Sequence, residues 1–140
     1  VVNHILCHPG KLLESQCELV DQIRRSGAGT KGEFERYYLE PLRRFAEILS
    51  AMAVEIDKLR VLIWDMGNLD KIQEAMVRIS ELENQGDSLY FTVISELFRK
   101  GCGESIEILK WKEVYEGLEE ACDRCKDFTH VVGNVAIKNA

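Results

Sequence analysis

Two acidic pairs at four-residue spacing are the residues best suited to chemistry in this chain. They are Glu83-Asn84-Gln85-Gly86-Asp87 and Glu119-Glu120-Ala121-Cys122-Asp123. On a helix, residues four apart project from one side, just over a turn from each other. Two such helices packed side by side would let Glu83, Asp87, Glu119 and Asp123 converge. Convergent carboxylates bind hard cations through oxygen. Iron, zinc, magnesium and manganese all accept such ligands.

The elements that must position these acids are helices. The chain has two prolines, Pro9 and Pro41, both placed where a helix can begin. Val, Ile and Thr form no period-two run bounded by hairpin turns, so the fold class is all-α. A helix is predicted from Pro9 to Arg25, ended by Ser26-Gly27-Ala28-Gly29. A short helical piece near Glu33–Leu39 follows, and Glu40, preceding a proline, is expected to leave the α region.

Three long helices come next. The first runs from Pro41 to Trp64, with a seam of Phe45, Leu49, Met52, Ile56, Leu59 and Ile63. Its alternating spacing of four and three is a heptad pattern. The next runs from Leu69 to Lys100, along Ile72, Met76, Ile79, Glu83, Gly86, Tyr90, Val93 and Leu97. The last runs from Glu104 to near Lys138, along Ile108, Trp111, Tyr115, Leu118, Cys122, Cys125, Thr129, Val132 and Ala136. Val114, Ala121, Phe128 and Val135 widen its apolar face, and Phe91 joins Tyr90 as a core aromatic. Long helices joined by short turns predict an antiparallel bundle, a single domain over residues 1–140.

Glu83 falls where the seam calls for an apolar residue. A lone buried carboxylate costs several kcal/mol, roughly what a small domain has to spare. It therefore needs an Arg or Lys, a proton or a metal, unless a small rotation of the helix puts it at the rim in water. Gly86, in the same seam, leaves room beside the helix backbone. Glu119 and Asp123 lie on a flank of the last helix. That flank also fits a plain solvated face.

Other motifs are weaker. Cys122-x-x-Cys125 is half of a zinc pattern, but no second pair stands at the spacing a zinc site needs, so both are read as core thiols. His4 and His8 are four apart, but Pro9 directly follows His8 and disfavours a helix there. No Glu-x-x-His motif supports a carboxylate-bridged metal oxidase. With no phosphate-binding loop and no nucleophile–base arrangement either, a non-enzymatic protein is expected.

Charge narrows the partners. The chain has 140 residues, a net charge of −6 and a pI of about 5.1. An acidic surface argues against nucleic acid and against unaided adsorption to anionic lipid. No apolar run reaches the roughly 20 residues of a membrane span, and no signal peptide is visible. The five cysteines are odd in number and scattered, which fits a reducing, cytoplasmic setting. Because the chain lacks an initiator Met, trimming is expected.

The stretch Ile79-Ser80-Glu81-Leu82-Glu83-Asn84-Gln85-Gly86-Asp87-Ser88-Leu89-Tyr90 resembles the PhoU-like proteins encoded beside Pit-type phosphate transporters. The block Ile108-Leu109-Lys110-Trp111-Lys112-Glu113-Val114-Tyr115, both acidic pairs in order, and the ending Val135-Ala136-Ile137-Lys138-Asn139-Ala140 carry the same resemblance. It lies mainly over residues 69–140 and extends back through the Pro41 helix. It implies metal ligation by Glu83, Asp87, Glu119 and Asp123, with Asp127 as a further ligand. It implies an accessory or regulatory role in inorganic phosphate uptake, with a phosphate transporter or associated sensor as partner at the inner membrane. A homo-oligomer is also expected. The chain departs from the family over its first forty residues, where Glu14 and Glu18 are followed by no matching Asp. A site that needs both units of the family would be incomplete here, or completed by a second chain. The alternative is a helical protein–protein interaction module with no metal, its acids forming a solvated face.

Overall fold

A computed structural model describes residues 38–64, 68–100 and 105–139. They form three helices: α1 (Glu40–Leu62), α2 (Leu69–Lys100) and α3 (Ser105–Asn139). Each helix packs against the other two, and no strand occurs among the described residues. The all-α bundle expected from the heptad seams is therefore what the described residues adopt. The predicted Pro9–Arg25 helix, His4, His8, Cys7, Cys17 and Cys102 lie outside the described residues.

Residue contacts fix the directions of the helices. Along α2, Met76 lies beside Gly133 of α3, Glu83 beside Lys126, and Gly86 beside Cys122. The α3 partners run backward as α2 runs forward, so the two helices are antiparallel. Between α1 and α3 the order is parallel: Tyr38 stacks on Trp111, and Phe45 meets Tyr115. The bundle is thus up, down, up.

The seams read from the sequence form the core. Phe45, Met52, Ile56 and Leu59 of α1 are buried, as are Ile72, Ile79, Val93 and Leu97 of α2. From α3 come Trp111, Val114, Tyr115, Leu118, Cys122, Phe128 and Val132. One aromatic stack ties the entry of α1 to α3. Tyr38 and Trp111 lie 4.5 Å apart between ring centroids, and the buried Tyr115 hydroxyl donates to the Tyr38 carbonyl at 2.9 Å. Burial pushes the Tyr115 hydroxyl pKa well above its ordinary value, so it stays a donor.

Three expectations differ from the structure. Glu40 is the first residue of α1, and Leu39 before it is already helical. Pro41 sits in the first turn, where its missing N–H costs nothing. Phe91 is 68% exposed rather than core, because it falls one position past the Tyr90 seam and turns outward. Val135 is also exposed, since the apolar face of α3 narrows to Val132 and Ala136 near its end.

Candidate metal centre

Glu83 is 6% exposed and so lies in the seam, not at its rim. Its partner is Lys126 of α3, whose Nζ stands 2.6 Å from Glu83 Oε1. Among the described residues this is the only ion pair that joins two helices; the other pairs lie three or four residues apart on one helix. Those surface pairs contribute little, roughly 0–1 kcal/mol each. Glu83 Oε2 is buried with no hydrogen-bond partner. A single ammonium therefore satisfies only half of this carboxylate.

Glu83, Asp87 and Asp123 form one group. A carboxylate oxygen from each lies within 4.8 Å of the other two. An ion with metal–oxygen distances of about 2.0–2.4 Å spans oxygens up to roughly 4–4.8 Å apart. Small side-chain rotations would therefore close the three donors on one cation. Their burial is graded, with Glu83 buried, Asp87 half-buried and Asp123 exposed. A cation here would have protein on one side and water on the other, the arrangement magnesium and manganese favour. An all-oxygen donor set and an orphaned buried carboxylate oxygen fit a hard cation.

Two other sequence-predicted ligands stand apart from this trio. Glu119 lies four residues before Asp123 on α3, about 6 Å further along the axis. The antiparallel register places Cys122 beside Gly86 and Lys126 beside Glu83, so Asp123 comes level with Asp87. Glu119 lies beyond Asp87, away from Glu83. It is half-buried, and its carboxyl pKa is raised, first by desolvation and then by the charges of Asp123 and Asp87. It borders the site as a repelling charge. Asp127 is exposed and stands 4.0 Å from His130 Nδ1; it acts on Asp123 only through its charge.

The electrostatics are those of crowded anions. Desolvation raises the Asp123 pKa, reinforced by Asp87, Glu83 and Asp127, while Lys126 opposes the shift. The Lys126 pKa is raised, chiefly by its hydrogen bond to Glu83, with Asp87 and Asp123 adding to it. All three carboxylates thus act on one ammonium.

Gly86 does not leave a void for an ion. A Cβ built there would lie 3.2 Å from Cys122 Sγ and 3.5 Å from Cys122 Cβ. The glycine admits the Cys122 side chain and so brings α2 and α3 close beside the acids. Cys122 and Cys125 are free thiols. Burial pushes the Cys122 thiol up to about 12 and the Cys125 thiol up to about 11, and each is packed as a small apolar group rather than poised as a ligand.

Lys126 is the residue that the sequence reading left unnamed. The signal was present in the seams. Setting the two small seam residues Gly86 and Cys122 opposite each other in an antiparallel pair brings Cys125 and Lys126 opposite Glu83, and Lys126 is the cation of the two.

Among the described residues, no helix is long and apolar enough to cross a membrane. No family model matches the chain, and no solved structure matches it. The chain is similar to UPF0111 protein YkaA of Bacillus subtilis (strain 168), with 31% identity over 72 residues. The match covers 51% of this chain and 35% of that protein, so the chain spans about a third of the relative's length.

Proposed function

We propose that this chain is a PhoU-like, non-enzymatic accessory protein of inorganic phosphate transport that binds a hard metal cation between α2 and α3. Glu83, Asp87 and Asp123 are the ligands, and Glu119 lies close enough to add its charge. The observation that carries the reading is the meeting of three carboxylates from two helices around a buried, half-satisfied Glu83. The similarity to YkaA over half the chain supports placing it near the PhoU-like proteins. The metal neutralises the repelling acids and locks α2 against α3. The locked face then meets a cytoplasmic surface of a phosphate transporter or of its sensor, with a second copy of the chain available to complete the assembly.

Phosphate uptake in cells carrying a Pit-type transporter tests the role. Co-expression of the chain is expected to change the uptake rate, and the Asp87→Asn/Asp123→Asn variant is expected to lose that effect. Equal uptake with both proteins would rule the role out.

Two observations favour a second reading. Lys126 already neutralises Glu83 without any metal, and Phe91, Phe98, Ile106 and Leu109 are exposed. Under this reading the chain is a helical interaction module held together by that ion pair. Cation binding by the folded protein separates the two readings.

A further inference from the structure

The three carboxylates are not the only charges at the site, because a cation of the chain's own stands against one of them. Lys126 Nζ is 2.6 Å from Glu83 Oε1, and Lys126 shares α3 with Asp123, one turn away. The Lys126 side chain is 30% exposed, while that of Glu83 is 8% exposed. The ammonium therefore has a path to water that the carboxylate lacks. Four flexible methylenes let it leave without moving either helix.

We infer that Lys126 is a tethered counter-ion that holds Glu83 when the site is metal-free and yields it to an incoming multivalent cation, so setting both the affinity and the charge selectivity of the site. This inference rests on the metal-binding reading above.

Charge counting shows why selectivity follows. Three carboxylates and one ammonium leave two negative charges uncompensated. A monovalent ion that displaced Lys126 would bring no more charge than the ammonium it replaced, and would compete with a group already held at short range. A divalent ion brings twice the charge and can use Glu83 Oε2, the buried oxygen that Lys126 leaves unpaired. The released ammonium is rehydrated at the surface, where an exposed lysine costs little. The exchange trades one half-buried ion pair for metal–carboxylate bonds and a solvated cation.

The test is titration of Mn2+ into the full chain in metal-depleted buffer, by calorimetry, for wild type, Lys126→Met and Lys126→Arg. Removing the competitor is expected to tighten Mn2+ binding about tenfold in Lys126→Met. Lys126→Arg keeps the competing charge and is expected to stay within about threefold of wild type. Binding by wild type that Lys126→Met leaves unchanged or weakens overturns the role of Lys126 and leaves the metal reading standing. Absence of binding by both proteins overturns both. The wild-type protein supplies a second readout that needs no variant to fold. With 15N-labelled lysine, the Lys126 ammonium is expected to give a protected Nζ signal without metal and to lose it on addition of Mg2+. A signal that persists at saturating Mg2+ would overturn the exchange.

Discussion

A Cβ added to Gly86 would lie 3.2 Å from Cys122 Sγ, the closest approach that α3 makes to this glycine of α2. That contact sets the helix spacing next to Glu83, Asp87 and Asp123, and it couples core packing to the geometry of the acids. Gly86→Ala gains helix propensity of about 1 kcal/mol but meets a buried sulfur that must shift. The expected balance is a net loss of about 1 kcal/mol. Adding Cys122→Ala removes the sulfur and leaves the propensity gain, so a double-mutant cycle on denaturant unfolding should give a coupling of about 2 kcal/mol. Additive effects would mean that the two residues do not set the spacing.

The Glu83–Lys126 pair is asymmetric, and its two truncations should differ in sign. Lys126→Met strands a buried carboxylate, and metal-free protein is expected to lose roughly 1–3 kcal/mol, the partial exposure of Lys126 moderating the loss. Glu83→Met removes the buried charge and frees Lys126 toward water, so metal-free stability is expected to hold or to rise. Thermal unfolding with a chelator present checks both. A large loss in Glu83→Met would show that the pair, not burial of an apolar group, is what this position requires.

Much of the fold was legible because heptad spacing maps directly onto burial in long helices. Met52, Ile79, Trp111 and Cys122 sit where their seams placed them. Phe91 was misplaced because aromatic character alone says nothing about its angle on the helix, one step past Tyr90. Glu83 was legible as an anomaly, a charge in an apolar row. Its partner was not, since pairing depends on the register between two helices, and a change of one turn would have set Asp123, not Lys126, beside Glu83. The same register explains why Glu119 lies outside the trio although its spacing to Asp123 matches that of Glu83 to Asp87.

The acids also predict a dependence on pH. The carboxyl pKa values of Glu119 and Asp123 are raised above 4.5 and 3.8, respectively, so between those values and the raised ones the folded chain binds more protons than the unfolded chain. Both groups therefore oppose folding at neutral pH, and that opposition fades as pH falls through their raised pKa values. In metal-free buffer, Asp123→Asn and Glu119→Gln are expected to stabilise the chain at pH 7 and to lose that advantage toward pH 4. Urea midpoints across this range, compared with wild type, check the slope. A variant advantage that grows on acidification would contradict it.

The two cysteines of α3 should react slowly. With thiols pushed up to about 12 for Cys122 and to about 11 for Cys125, almost no thiolate is present at pH 8. A thiol reagent is expected to label both at the rate of local unfolding, orders of magnitude slower than in urea. Peptide mapping after timed labelling distinguishes them from the other cysteines. Rapid labelling of Cys122 in folded protein would show that the α2–α3 seam opens readily.

The central claim is that one cation bridges α2 and α3 through Glu83, Asp87 and Asp123. Electron paramagnetic resonance of Mn2+ tests it most directly, because the six-line signal of the free ion is lost on binding. Wild-type protein is expected to withdraw one equivalent of Mn2+ per chain, and Asp87→Asn/Asp123→Asn, folded to the same helical content, is expected to leave the free signal intact. Undiminished free Mn2+ in the presence of excess folded wild-type protein, or equal uptake by the double variant, would contradict the account.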